Sequence, residues 1–130
     1  MNTLNKDQIL KILEKYNIDK NEYILISGSS MVMHGVKEYT RDIDLSVSEK
    51  LYEYLITNYK CTLEFHDEET NENVYFVDNF LSFSRNFYKD CKYEIINSIK
   101  CQTLEDIIRL KKKFNRQKDI EDIKLIEKFI

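Results

Sequence analysis

The sequence predicts an α/β (α+β) domain in which helices flank a sheet, and three observations predict it. Helical stripes of apolar residues open and close the chain, from Ile9 to Tyr16 and from Ile120 to Phe129. Short apolar runs bounded by polar turns fill the interval, as strands do. One of them, Tyr23-Ile24-Leu25-Ile26, stops at Ser27-Gly28 and leads into a second helical stretch. At 130 residues, 42% of them hydrophobic and 33% charged, the chain is expected to form one globular domain, residues 1–130, around a single core.

Each element follows from local chemistry. Asn5 with Gln8 three residues on is a capping pattern, so Ile9, Leu10, Ile12, Leu13 and Tyr16 lie on a first helix that ends near Tyr16 and covers a sheet. Tyr23 to Ile26 reads as a buried strand. Ser29 or Ser30 can cap a short helix that Gly35 ends in the left-handed region. Tyr39 to Val47 alternates, with Asp42 and Asp44 on one face and Ile43, Leu45 and Val47 on the other. Ser48 caps a helix whose apolar side is Leu51, Tyr52, Leu55 and Tyr59. Cys61 to Phe65 and Asn73 to Val77 read as strands around the polar loop His66 to Glu72. Phe80 to Tyr88 is rich in aromatics and is assigned to neither period. Lys92 to Asn97 and Ile99 to Gln102 pair as a hairpin, Thr103 opens a helix with Asp106, and Asp119 to Phe129 forms the last helix, with Ile120, Ile123, Leu125, Ile126 and Phe129 as its stripe.

Charge and cysteine usage exclude several classes. Net charge is -3, too mild for nucleic-acid binding by the whole surface. Arg109, Lys111, Lys112, Lys113, Arg116 and Lys118 nevertheless form a basic block without an acid inside it, either a phosphate-contacting surface or a solvated helix face. Cys61, Cys91 and Cys101 are odd in number and far apart, which predicts reduced core residues rather than a disulfide framework or a zinc site. The segment Met1 to Asp7 has no basic and apolar leader, and no apolar run approaches the roughly 20 residues that span a bilayer, so a cytoplasmic protein without membrane segments is expected.

The chemistry concentrates between Ile26 and Leu45. Both glycines of the chain, Gly28 and Gly35, lie there, in a sequence with no proline. Glycine lets a ligand approach the main chain, and amides at a helix start favour phosphate. Asp42 and Asp44, at i and i+2 of one strand, would stand about 6 to 7 Å apart at Cβ. Two such carboxylates repel unless a cation lies between them, and an all-oxygen ligand set selects Mg²⁺, which keeps positions open for phosphate oxygens. Together the two halves suit a metal-bound nucleoside triphosphate. The structural alternatives are an ordinary strand-to-helix turn at Gly28 and two solvated acids on an exposed strand face.

A hydrophobic strand, Gly28-Ser29, a short helix and then Asp42-Ile43-Asp44, with twelve residues between Ser29 and Asp42, resembles the first motif of the nucleotidyltransferase superfamily to which DNA polymerase beta belongs. Thr103-Leu104-Glu105-Asp106 through Lys111, and Arg116-Gln117-Lys118-Asp119 through Asp122, resemble the closing segment of small bacterial and phage members, including those grouped with AbiEii-type toxins. The resemblance spans roughly residues 21 to 130 and implies a minimal nucleotidyltransferase fold, with a mixed, twisted sheet flanked by helices. It implies that Gly28 and Ser29, with Ser30 beside them, hold the triphosphate. Asp42 and Asp44 are then the ligands of Mg²⁺ in a two-metal site, and Lys111 and Asp119 complete the catalytic set, Lys111 against phosphate. For Asp119 the residues also permit a surface ion-pair network with Arg116, Lys118 and Asp122.

Such enzymes usually carry a third acid on a neighbouring strand, and here Glu64, Glu72, Asp78 and Glu94 are all candidates, with Asn73 at a place where an acid is usual. His34 reads either as a phosphate contact or as a helix-capping residue, and Phe80, Phe83, Phe87 and Tyr88 as a base-stacking wall or as core. The implied activity is transfer of a nucleoside monophosphate to an acceptor hydroxyl. The acceptor is RNA, such as tRNA, if the chain acts as toxin-type members of toxin-antitoxin pairs do. It is a partner protein or a small hydroxylated molecule in the alternative, and without a third acid the chain is a non-catalytic nucleotide-binding or interaction module.

Overall fold

The computed structural model describes residues 3–130. In chain order it contains α1 (Lys6–Tyr16), a 3-10 turn (Lys20–Glu22), β1 (Tyr23–Ile26), α2 (Ser27–Met33), β2 (Ile43–Val47), α3 (Glu49–Asn58), β3 (Thr62–Asp67), β4 (Glu72–Val77), β5 (Leu81–Ser84), β6 (Tyr93–Ile96), β7 (Ile99–Gln102), α4 (Leu104–Phe114) and α5 (Gln117–Phe129). The strands form one mixed sheet in the order β3-β4-β5-β2-β1-β7-β6, flanked by the helices, as the α+β pattern predicts.

The middle strand is β2. It runs antiparallel to β1, with Ile26 opposite Asp44, and parallel to β5, with Asp44 beside Ser82. Ile43, Leu45, Ser46 and Val47 are buried, so Asp44 interrupts a strand covered on both faces and its carboxyl lies at the rim of the core. The main core joins Ile9 and Leu13 of α1 and Leu51 and Leu55 of α3 to Leu25, Leu45 and Phe83 of the sheet. A second cluster, Met31, Leu104, Ile107 and Ile126, ties α2 to α4 and α5. Full burial of one such side chain contributes about 2 kcal/mol, so Leu51 and Leu55 suffice to anchor α3, whose outer face is exposed.

Local signals gave the caps. Asn5 Oδ1 accepts the Gln8 amide at 3.0 Å while Gln8 Oε1 accepts the Asn5 amide at 2.8 Å. Ser48 and Thr103 accept the amides of Leu51 and Asp106 at 3.2 and 3.1 Å. Between β6 and β7, Asn97 and Ser98 both have positive φ, 53° and 65°, as a two-residue turn that follows the twist of its strands requires.

Tertiary packing corrects other expectations. α2 begins at Ser27, so Ser29 and Ser30 lie inside it and cap nothing. β2 begins at Ile43, not Tyr39; Thr40 instead bridges to Leu4, with amide-to-carbonyl bonds of 2.7 and 3.0 Å. The unassigned aromatic segment contains β5, buried at all four residues, which erases the alternation a half-buried strand would show. The basic block is divided by a helix break at Asn115, φ 51°, so that Arg116 is the N-cap of α5 and Lys118 lies in its first turn, both outside α4. α5 turns Asp119, Asp122 and Ile126 inward and leaves Leu125 and Phe129 exposed, because inward cations neutralise its two aspartates. Cys91 and Cys101 are buried thiols, and Cys61 is half-buried; all three are free. Among the described residues no helix is long and apolar enough to cross a membrane.

Candidate active site

Two clefts of about 570 Å³ each open at the end of β2 and share Ser27, Asp42, Asp44, Arg116 and Lys118. They differ in charge. The first adds Lys37, Arg41 and Lys111 together with Glu121 and Asp122, and has Gly28 in its wall. The second adds Glu64, Asp67, Glu68 and Glu69, with Phe65, Phe83, Phe87 and Phe114.

The charge of Asp42 opposes the ionisation of both Asp44 and Glu64. Burial first, and then the charges of Asp42 and Glu64, push the Asp44 carboxyl up to about 7 against the pull of Lys111 and Lys118. Burial also raises Asp42, opposed by Arg41 and Lys118. Glu64 is raised by burial and by Asp42, although the Ser82 hydroxyl donates to Glu64 Oε1 at 3.3 Å. A cation at this point would relieve the repulsion. Mg²⁺ takes one or two carboxylates and completes its shell with water and phosphate, so Asp42 and Asp44 are a fitting donor pair. Among the described residues, no group of three or more Asp, Glu, His or Cys is arranged to hold an ion by itself.

Glu64 reaches the pair through an irregularity in the sheet. Leu63 pairs with Tyr75 and Phe65 with Val74, so Glu64 is the extra residue of a bulge in β3. A bulge re-aims side chains, and both Glu64 and its successor Phe65 line the second cleft, which successive residues of a regular strand would not do. The other third-acid candidates are engaged elsewhere. Glu72 accepts from Arg85 Nε at 3.0 Å, Asp78 accepts from the Tyr16 hydroxyl, and Glu94 stands on edge strand β6, 3.8 Å from His34 Nδ1. Asn73 contacts His66 and Tyr75.

In the first cleft, Gly28 and Ser27 line the wall and the two following serines do not. A Cβ at Gly28 would stand 3.0 Å from Thr40 Oγ1, a tight contact that glycine avoids. Ser29 is fully buried; its Oγ donates to the Ile26 carbonyl at 2.9 Å and accepts the Asp44 amide at 3.2 Å. Ser30, also fully buried, donates to the Gln102 carbonyl at 2.7 Å. The two hydroxyls therefore hold α2 to the strands beneath it.

Lys111 is buried and lies 3.1 Å from Asp122 and 3.5 Å from both Asp119 and the Ser27 hydroxyl. Burial opposes ionisation of Asp119, yet hydrogen bonds from the Arg116 side chain and amide, at 2.7 to 3.2 Å, hold its carboxyl below the usual range. The expected network of these residues exists, but Asp119 is in the interior. Lys118 lies outside it, exposed at the mouth of both clefts, and among the described residues it has no carboxylate within ion-pair distance. Ser27 and Arg41 were not singled out as site residues by sequence, and Lys118 was named only within the basic block and the closing segment's ion-pair network; the end of a buried strand for Ser27 and adjacency to Asp42 for Arg41 were the available signals.

His34 caps the end of α2, and its Nε2 donates to the Gln102 carbonyl at 2.9 Å. Of the aromatic group, Phe83 is core and Phe87 lines the second cleft, while Tyr88 bonds the Asn21 carbonyl at 2.7 Å. Comparisons with protein families, curated proteins and solved structures found no match for this chain.

Proposed function

We propose that the protein is a Mg²⁺-dependent nucleotidyltransferase that moves a nucleoside monophosphate from a nucleoside triphosphate to an acceptor hydroxyl and releases pyrophosphate. The convergence of Asp42, Asp44 and Glu64 on one cleft, beside a second of mixed charge that holds Arg41, Lys111 and Lys118, carries this proposal, and the resemblance of Gly28-Ser29 and Asp42-Ile43-Asp44 to the superfamily's first motif supports it. Bound Mg²⁺ would polarise the phosphates and lower the acceptor hydroxyl's pKa. Asp42 and Asp44 would hold it. Gly28 lets the phosphates approach the main chain, and Arg41, Lys111 and Lys118 offset their charge. Glu64, raised from its ordinary value by burial and by the charge of Asp42, takes the proton of the attacking hydroxyl. The new bond joins the acceptor oxygen to the α-phosphorus, and the bond to the bridging oxygen breaks, leaving with pyrophosphate.

The charge of the second cleft bears on the acceptor. Glu64, Asp67, Glu68 and Glu69 face that side, and the basic block that would meet RNA is dispersed: Arg109 pairs with Asp106, Lys111 is interior, and Lys113 pairs with Glu69. A partner-protein segment or a small hydroxylated molecule fits this side better than an RNA backbone. Incubation with α-labelled nucleoside triphosphates, Mg²⁺ and either total RNA or RNA-depleted cell extract tests both statements. Label on protein or small molecule, lost in Asp44→Asn, is the expected result. Label on RNA with steep salt dependence would return the acceptor to RNA. Triphosphate binding in a calorimeter without transfer to anything would make the chain a binding module.

A further inference from the structure

Gln102, the last residue of β7, is buried and uses its polar groups across two helices. Its Oε1 accepts the Ser27 amide at 2.9 Å, and its Nε2 donates to Asp106 Oδ2 at 2.9 Å. Its carbonyl accepts from Ser30 Oγ at 2.7 Å and from His34 Nε2 at 2.9 Å. One residue thus grips the first residue, the middle and the cap of α2, and ties them to the first turn of α4.

The chain of bonds has a direction. Asp106, its side chain fully buried, is held by Arg109 through Nε at 3.0 Å and a terminal nitrogen at 2.7 Å, so its carboxylate can only accept. The NH₂ of Gln102 must therefore face Asp106, and its oxygen must face Ser27. Ser27 needs that partner. Its φ is +55°, in the left-handed region that side-chain-bearing residues rarely adopt, and such a conformation persists only where its surroundings impose it. Ser27 in turn leads into Gly28, and its hydroxyl lies 3.5 Å from Lys111 Nζ, five residues beyond Asp106 on the same helix. Every member is satisfied, as a buried polar chain must be to give one arrangement rather than several.

We propose that Gln102 is a positioning residue of the triphosphate cleft, which, oriented by Asp106, sets the Ser27–Gly28 turn against Lys111. It touches no substrate. The proposal rests on the nucleotidyltransferase reading for the identity of the ligand, but not for the geometry of the turn.

The test uses Gln102→Met, which keeps length and removes both side-chain bonds, and Asp106→Asn, which keeps shape but removes the charge that dictates the orientation of Gln102 and pairs with Arg109. Amide hydrogen exchange of the free protein reads the turn. In Gln102→Met the Ser27 amide should exchange at least about tenfold faster while Leu25 and Leu45 keep their protection. Asp106→Asn should show a smaller acceleration at the same amide. Binding of Mg²⁺ with a non-hydrolysable triphosphate should weaken about tenfold in Gln102→Met, with KM raised far more than kcat falls. Unchanged Ser27 exchange in either folded variant, or uniform acceleration at all three amides, overturns the proposal, as does collapse of the fold in both. If wild-type protein binds no triphosphate while the Ser27 amide responds as described, the positioning of the turn stands and the nucleotidyltransferase reading fails.

Discussion

Glu64 and Asp44 lie on strands separated by two others, yet Glu64 accepts a hydrogen bond from Ser82, the residue registered beside Asp44. At about 4.8 Å per strand their backbones are roughly 14 Å apart, so a regular β3 would leave Glu64 short of the pair. The bulge and the length of the glutamate side chain bring the carboxyl within electrostatic range of Asp42 and Asp44.

This relationship selects one acid among four. Glu64→Gln should lower transfer about a hundredfold, the lower range for a lost general base, whereas Glu72→Gln, Asp78→Asn and Glu94→Gln should stay near wild type. Initial rates under saturating Mg²⁺ and triphosphate measure it. Equal losses in all four would show that Glu64 has no special part.

Asp42→Asn and Asp44→Asn should each reduce transfer by at least about a thousandfold, about 4 kcal/mol in barrier, without loss of fold stability. Stability should in fact separate with pH. The Asp44 carboxyl is raised to about 7 in the folded chain against 3.8 when free, so between these values the folded state holds more proton than the unfolded state. Stability of the metal-free protein contributed by this group therefore falls as pH rises through the window. The melting temperature of Asp44→Asn minus that of wild type should grow from pH 4 to pH 7, and added Mg²⁺ should shrink the difference. A difference that narrows with pH would contradict the placement of this carboxyl.

Gly28→Ala forces a methyl to within 3.0 Å of Thr40 Oγ1, and Thr40 is held to Leu4 by two backbone bonds. A loss of about 1 to 3 kcal/mol is expected, as for other overpacked sites. Thr40→Ala in the same chain should recover most of it, and chemical denaturation of the two single variants and the double variant would measure the coupling.

Lys111 and Lys118 should differ sharply. Lys111→Met leaves Asp119 and Asp122 short of a buried cation and should cost about 3 kcal/mol of stability. Lys118→Met should change stability by less than about 0.5 kcal/mol and weaken Mg²⁺-triphosphate binding about tenfold. Thermal melts and calorimetry separate the two roles, and reversed rankings would exchange them.

What the sequence determined alone is whatever depends on residues a few positions apart. The capping box of Asn5 and Gln8, the caps at Ser48 and Thr103, the strand Tyr23 to Ile26 and the close spacing of Asp42 and Asp44 are all legible because a side chain there meets its own neighbours. The tertiary structure decided what depends on partners far along the chain. It spent Ser29 and Ser30 on holding α2, drew Lys111 and Asp119 into the interior, left Lys118 at the mouth, and brought Glu64 to Asp44 through a bulge. Hydrophobic period and cap chemistry are local and can be read in order along a chain, whereas burial of a charge and the register between distant strands follow only from which surfaces close on one another.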